Sequence, residues 1–369
     1  MAHEVPSMPG SGAAHEDVLL GAAVRRSDDD RNDAEEASLD SGSDRNDDEV
    51  DDVEGRFSLL DPGSAAIDNS SLLLIPGSGT AMCLVAFSIL AYAGLNAAVF
   101  ALTQTTRTLV EYERWAVVIT LSVQVASLLH DALARQRISK SELNTHSCIV
   151  IVKVLAALSN AMLFFLPATP FIVDQVTGRP NSMLRWAEWV VLAFTITFIV
   201  EAIDSTKART PLLVGASQSL STLCGLFLPA ASALPPVWGL PVAWGGLLVV
   251  SFLLYFVLFA RLAAKHRKLQ RMRASLPPTC YPLVRAELGM RLFWAMMFTW
   301  TGLTAVWTAD AIAGIFVARG ATSWAFIADC AIDCIAKALY TTAIVEQADT
   351  ATQQADMQKE AKKRARLHW

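Results

Sequence analysis

The last long apolar segment of the chain reads FIADCAIDCIAKALY over residues 326–340. It contains Lys337, and a lysine inside hydrocarbon is costly, so it is retained where a partner or a covalent chemistry uses it. Asp333 precedes this lysine by four residues, which places both side chains on one face of a helix. The spacing suits an ion pair, or a carboxylate beside a protonated imine formed on the lysine amine.

The composition separates an acidic N-terminal tail from an apolar body. The 369 residues are 53% hydrophobic and 18% charged, with a net charge of −5. Residues 27–54 alone hold 14 acidic residues against Arg31 and Arg45, so the rest of the chain is basic. Because such a solvated stretch cannot bury a core, we expect residues 1–79 to be a disordered acidic tail.

Eight segments are apolar over roughly the 20 residues that a membrane-spanning helix needs. The gap at 262–289 is too polar to span. We therefore expect an all-α membrane protein that ends in a basic tail at 347–369. The eight segments lie at about 80–103, 116–135, 147–172, 185–204, 210–231, 238–261, 290–316 and 323–346.

Lysine and arginine concentrate in the gaps after the second, fourth and sixth segments and near the C-terminus. Since cytoplasmic loops of membrane proteins are enriched in these residues, we expect both termini of this multi-pass protein to be cytoplasmic. The six cysteines lie mostly inside apolar segments without zinc-type spacing, so we expect reduced thiols and no metal site.

Two other segments carry residues that are unusual in hydrocarbon. The fourth contains RWAEW at 185–189, with an arginine and a carboxylate about one turn apart. The seventh has Trp300 and Trp307 on one helical face. Taken singly, these residues have ordinary explanations, such as interfacial tryptophans, a snorkelling arginine or a structural ion pair.

Taken together and in this order, the motifs resemble those of the microbial (type 1) rhodopsins, a family of seven-helix retinal proteins. The resemblance covers residues 116–346 and leaves out the first segment, 80–103. It implies a seven-helix microbial-rhodopsin bundle plus one extra N-terminal transmembrane helix, a layout similar to that of enzyme-fused rhodopsins. The matching residues are RWAEW at 185–189, LVGAS at 213–217, Trp244, YFVLF at 255–259, Trp300, Trp307, Asp333 and Lys337.

The resemblance also implies a cofactor and its site. Lys337 would bind retinal covalently as a protonated Schiff base, since a lysine amine in an apolar pocket can condense with an aldehyde. Glu188 and Asp333 would be the carboxylates beside this cation, with Arg185 balancing their charge. The other cofactor-binding residues would be Trp189, Trp244, Trp300, Leu303, Thr304, Trp307, Ser251 and Cys224.

Two departures from the family's pattern bear on function. Leu192 stands where pumps usually carry threonine, and Ile199 stands where outward proton pumps keep a carboxylate donor. We therefore expect a photosensory rhodopsin in which light moves the Schiff-base proton to a carboxylate. A light-driven ion pump or a light-gated ion channel is the alternative. A non-photoactive eight-helix transporter with a structural Asp333–Lys337 pair is the third hypothesis.

Further expectations concern partners and the remaining polar residues. About 23 residues follow Glu346, so we expect no enzyme domain and a signal that passes to a cytosolic partner. Membrane lipid and a second copy of the chain are further candidate partners, and nucleic acid is not expected. Lys153 is expected to snorkel to the cytoplasmic surface, whereas Asn160, Asp310 and Asp329 could line an outer polar cavity.

Overall fold

The computed structural model describes residues 78–140, 142–205, 207–238, 240–277, 280–316 and 323–367. The acidic tail expected at 1–79 lies outside them, apart from residues 78–79, which already belong to the first helix. The helices are α1 (Ser78–Leu102), α2 (Glu111–Ala134), α3 (Leu143–Phe165), α4 (Met183–Ala202), α5 (Arg209–Ser232), α6 (Val242–Ser275), α7 (Tyr281–Phe316), α8 (Ser323–Cys334), a π-helix (Ile335–Tyr340) and α9 (Thr341–Leu367).

The last three of these elements follow one another without a break, so the described residues form eight helical columns. Six helices, α1 to α6, are long and apolar enough to cross a membrane by length and composition. Among these six, α4 is the most enclosed by protein. The columns that carry the two remaining predicted spans are α7 and α8 to α9.

The third helix ends earlier than its apolar pattern predicts. It stops at Phe165 instead of continuing to residue 172. Leu166 is already extended, because it precedes Pro167, and a proline disfavours helical geometry at the residue before it. The rest of the expected span forms strand β2, Thr169–Val173.

The polar stretch at 262–289, expected to be a loop, is mostly helical. Helix α6 continues to Ser275, and α7 starts at Tyr281. Two basic residues of this extension, Lys265 and Lys268, pair with the buried carboxylate of Asp204, just after α4, so their charge is compensated inside the fold. The helix stops at Leu276, which is extended before Pro277. The basic tail at 347–369 is likewise helical as far as Leu367.

Three short strands cap one end of the bundle. Strands β1 (Thr106–Arg107), β2 (Thr169–Val173) and β3 (Pro180–Ser182) form an antiparallel sheet in the order β1-β2-β3. In the hairpin between β2 and β3, Gly178 adopts a φ of 71°, a conformation that glycine accepts at little cost. This hairpin leads directly into α4 and so fixes where α4 begins.

The first helix packs against α3 and α4. Its polar residues face inward: the Tyr92 hydroxyl lies 2.8 Å from Ser159 Oγ, and Ser88 Oγ lies 2.9 Å from Thr195 Oγ1. Because these four side chains are buried, each hydroxyl needs such a partner. Helix α1 is therefore joined to the bundle by specific hydrogen bonds as well as by apolar packing.

Candidate functional site

The lysine of the last apolar segment lies inside the bundle. Lys337 is 3% exposed and belongs to the π-helix, a rare geometry that often occurs at functional sites. Its ammonium group contacts the carboxylates of both Glu188, on α4, and Asp333, on α8. The structure thus brings together the three residues that the sequence singled out for an ion pair or an imine.

Donors on three helices hold Asp333. One of its carboxylate oxygens accepts hydrogen bonds from Gln124 Nε2 at 3.1 Å and Asn160 Nδ2 at 3.4 Å. The other accepts from Trp189 Nε1 at 3.3 Å, and Arg185 Nη1 lies 3.7 Å from the first. A carboxylate with this many donors is strongly favoured in its charged form.

Glu188 is buried just as completely but is held differently. One of its oxygens contacts Lys337. Its second oxygen, Oε2, has no hydrogen-bond partner among the residues that the structure describes. A buried carboxylate oxygen without a donor is energetically costly, so this oxygen is well placed to accept a proton.

Arg185 balances the charge of the group. It is 3% exposed, donates from Nη2 to Asn160 Oδ1 at 3.1 Å, and lies 5.2 Å over the ring of Phe326. Two cations, Arg185 and Lys337, therefore stand against two carboxylates. Such compensation is what allows charges to be buried at all.

An aromatic cavity lies beside this charged group. Its walls are mostly apolar and aromatic side chains with a few polar groups among them, a lining typical of small-molecule sites. Trp189 connects the two features, since it lines the cavity while the Lys337 ammonium lies 5.8 Å from its ring centre. Six of the predicted cofactor-binding residues line the cavity: Trp189, Ser251, Trp300, Leu303, Thr304 and Trp307.

No protein-family model matches the sequence, and no curated protein matches it either. Several solved structures do match this chain. The chain resembles the transmembrane domain of the Salpingoeca rosetta rhodopsin phosphodiesterase, with a TM-score of 0.56 at 16% identity, covering 73% of this chain and 98% of that one. The same domain with its linker region gives 0.61 at 15% identity, covering 80% and 91%. Thermophilic rhodopsin from Rubrobacter xylanophilus gives 0.51 at 14%, covering 66% and 98%.

This chain has the microbial-rhodopsin fold. At these identities the likeness concerns the fold alone, and it confirms the expected seven-helix bundle preceded by one extra N-terminal helix. Within that rhodopsin fold, α1 is the extra helix, and α2 to α7 with the last column form the bundle.

Three predicted cofactor-binding residues are not among those that line the aromatic cavity: Lys337, which adjoins it through Trp189, and Trp244 and Cys224. Trp244 is in the first turn of α6, where its Nε1 donates to Asp174 Oδ2 at 2.8 Å in the β2–β3 hairpin. This bond holds its indole at the capped end of the bundle. Cys224 is half-buried on α5 and is not among the residues that line the cavity. Its neighbour Gly225 lines it instead.

The sequence interpretation missed a polar wall of the aromatic cavity. This wall comes from α5 and consists of Gln218, Ser221, Thr222 and Gly225. Their spacing of three, four and seven residues is that of one helical face, so the period itself could have indicated them. Cys224 does not belong to this helical face. At Gly225, an added Cβ would lie 2.3 Å from the ring of Trp186, so glycine is what lets this indole into the cavity wall.

A second cavity of the rhodopsin fold opens toward the strand-capped end. Its walls include Asp310 and Asp329, as the sequence suggested, together with Arg179 and Arg185. Arg179 pairs with Asp310. Asn160 lies deeper, on Asp333, and is not among the residues that line this cavity. Arg185 and Trp189 also line it, so this cavity reaches the charged group.

Proposed function

We propose that this chain is a light-absorbing retinal protein, a photosensory rhodopsin, in which Lys337 carries the chromophore. The observation that supports this most is the Lys337 ammonium, buried between Glu188 and Asp333 and adjoining the aromatic cavity through Trp189. Retinal, when bound there as a protonated Schiff base, supplies visible-light absorption and a change of shape on isomerisation. The apolar and aromatic lining of the cavity suits a flat polyene.

The two carboxylates have different tasks in this proposal. Asp333 stays ionised, because Gln124, Asn160 and Trp189 donate to it, and it orients the positive charge on the Lys337 nitrogen. Glu188 takes the proton after light absorption, because one of its oxygens is unbonded. Arg185 then compensates the remaining negative charge of Asp333.

The sensor is preferred over a pump because of the residues beyond Glu188 on α4. Leu192 and Ile199 are buried, and neither has a proton to give. The signal would leave through a cytosolic partner, and the proposal includes no enzymatic activity of the chain. Light-driven ion transport is the second candidate, favoured by a buried lysine and aspartate pair on α3 and α2.

The proposed orientation places both termini in the cytoplasm, as the distribution of lysine and arginine indicates. The sequence contains a glycosylation sequon at Asn69, and glycosylation occurs only on the lumenal side. Expression in a glycosylating host therefore tests the orientation. Modification at Asn69 would contradict it.

The cofactor proposal is tested by adding all-trans retinal to membranes that contain the full chain. We expect a visible absorption band that is absent in Lys337→Ala. The matched control is Lys265→Ala, which also removes a buried, aspartate-paired lysine but should keep the band. A colourless wild-type preparation would contradict the proposal. Photocurrents under voltage clamp then separate the candidates, since a sensor gives none, a pump gives current without reversal, and a channel gives current that reverses.

A further inference from the structure

A second buried lysine lies in the same bundle, outside the site described so far. Lys153, on α3, is fully buried, although its sequence position suggested that it would snorkel to the surface. Its ammonium lies 2.6 Å from Asp131 Oδ2, on α2, and 2.7 Å from Thr342 Oγ1, on α9. Because helical side chains lean toward the N-terminus, the stem of Lys153 points to the end of the bundle where α2 finishes.

Polar groups continue from this lysine in both directions. Inward, the Thr342 hydroxyl donates to the carbonyl of Ala338, at 2.8 Å, and Ala338 directly follows Lys337 in the π-helix. Outward, the other oxygen of Asp131 lies 3.4 Å from Nδ1 of His130, whose side chain is 55% exposed. A buried ammonium thus lies between the segment that holds Lys337 and a solvent-accessible imidazole.

Three further charged or titratable groups surround the pair of Lys153 and Asp131. His146, on α3, lies 3.2 Å from the backbone carbonyl of Asp131 through Nε2. Glu346, on α9, acts electrostatically on Lys153, and Arg135, just after α2, acts on His146. Protonation in this region therefore belongs to a small network with access to the surface.

We propose that Lys153 is the group that returns a proton to the Lys337 nitrogen after Glu188 has accepted one. This inference rests on the proposed retinal function. The proton donor would then lie on α3. The α4 position at which outward proton pumps keep a carboxylate donor carries Ile199 in this chain. A lysine paired with an aspartate can carry this proton because, unlike arginine, it can exist as a neutral amine inside a protein.

The proton steps balance without any redox partner. The Lys153 ammonium gives one proton to the Thr342 hydroxyl, which passes its own proton on to water, and water delivers it to the Lys337 nitrogen. Lys153 is left as a neutral amine. One proton from the cytoplasm then enters through His130 and Asp131 and restores the ammonium, and Glu188 releases the proton it accepted to solvent, so the chain ends with the protons it began with.

A purely structural role for the pair makes a different prediction. If Lys153 only joins α2, α3 and α9, arginine can replace it, since it keeps the charge and still bonds to Asp131. If Lys153 must release a proton, arginine fails, because its guanidinium is not deprotonated in proteins. Lys153→Arg therefore separates the two roles.

The experiment is flash photolysis of the full chain with retinal in membranes. We expect Lys153→Arg to slow the return of the Lys337 proton by about a hundredfold or more, the lower end of general acid contributions. Azide, a small permeant weak acid, should restore the rate. The matched control Lys265→Arg alters another buried lysine, which is paired with Asp204 just after α4, and it should leave the rate unchanged. An unchanged rate in Lys153→Arg, a slowing that azide does not reverse, or no light-induced loss of the proton would overturn the inference.

A second readout needs no chromophore. Thermal unfolding of the retinal-free chain is followed from neutral to alkaline pH in the wild type and in Lys153→Arg. All other groups titrate in both, so a wild type that gains stability relative to Lys153→Arg as the pH rises toward about 10.4 reports that Lys153 gives up its proton in the fold before it does so in the unfolded chain. A wild type that loses relative stability as the pH rises, or a constant difference, argues against proton release. The two proposals fail separately: a preparation without a visible band overturns the retinal function and this inference with it, whereas a normal band with equal recovery rates overturns only the role of Lys153.

Discussion

Glu188 and Asp333 both contact the ammonium group of Lys337, but only Asp333 also accepts hydrogen bonds from neutral side chains on other helices. The second oxygen of Glu188 has no partner among the described residues. Two carboxylates that share one cation are therefore unequal. Their environments separate a fixed counter-ion from a proton acceptor, which is how paired carboxylates commonly divide acid and base roles.

Glu188→Gln should shift the visible band of the retinal-loaded protein to longer wavelength, because a negative charge that stabilises the ground state is removed. It should also slow the light-induced proton transfer by about a hundredfold or more, since the acceptor is gone. Absorption spectroscopy and flash photolysis measure both effects. The comparison is Asp333→Asn, which leaves Arg185 without its carboxylate and should destabilise the fold by about 3–5 kcal/mol. Faster proton transfer in Glu188→Gln than in Asp333→Asn would reverse the assignment.

Gly225→Ala should lower the free energy of unfolding by about 1–3 kcal/mol, because the added methyl group overlaps the Trp186 ring. The displaced indole should also slow retinal uptake. Gly246→Ala is the matched control, since an added Cβ there meets no atom within 4 Å. It should leave stability unchanged or raise it by up to about 1 kcal/mol through helix propensity. Equal effects of the two substitutions would argue against the close contact.

Glu142→Gln should cost about 3–5 kcal/mol, because it leaves the buried Arg285 guanidinium without its carboxylate. At present Glu142 Oε1 accepts from Arg285 Nη1 at 3.2 Å and from Thr352 Oγ1 at 2.9 Å. Chemical denaturation of the purified protein measures the loss. Glu287→Gln breaks an exposed pair with Arg273 and should cost at most about 1 kcal/mol. A loss in Glu142→Gln as small as this would show that the buried pair contributes little.

The stability of the fold should depend on Asp204 in acid. Burial alone would raise the pKa of Asp204, but the ammonium groups of Lys265 and Lys268 hold it below its ordinary value. Above the ordinary value the carboxylate is charged in both the folded and the unfolded chain, and the ion pairs contribute fully. As the pH falls toward the folded value, the unfolded chain takes up the proton first, and that stability is lost.

Thermal unfolding of the wild type and Asp204→Asn over acidic and neutral pH checks this. The difference between their midpoints should be largest near neutrality and should shrink as the solution becomes acidic. A difference that stays constant would mean that Asp204 is not ionised in the fold.

The core of the site could be predicted because charge in an apolar segment is rare and costly. Lys337 and Asp333 were expected to meet from helical spacing, whereas the resemblance to the microbial rhodopsins placed Glu188 and Arg185 beside them. The sequence did not identify Gln124 and Asn160 as hydrogen-bond partners of Asp333, because neutral amides occur in many membrane helices without a shared role. Their convergence depends on how α2 and α3 pack, which local periodicity does not contain.

For Lys153 the sequence predicted a surface position, and the structure shows a buried one. Its position near a helix end predicted snorkelling, but Asp131 on the neighbouring helix supplies a partner inside the bundle. The stretch 262–289 was misjudged for the same reason. Arg261, Lys265 and Lys268 reach Glu201 and Asp204 at the end of α4, so residues that look solvated in the sequence are structured by long-range pairing.

The π-helix at Ile335–Tyr340 has a geometric consequence for the C-terminal column. A π-turn fits one additional residue into the helix, and one residue of an α-helix corresponds to about 100° of rotation. The rotation of α9 about its own axis is therefore set by the π-turn that contains Lys337. Asp349 accepts from the Ser139 amide at 2.9 Å, and Thr352 donates to Glu142 at the same distance, both at the α2–α3 connection. Relaxation of the π-turn to regular helix would turn these two side chains away from that connection together.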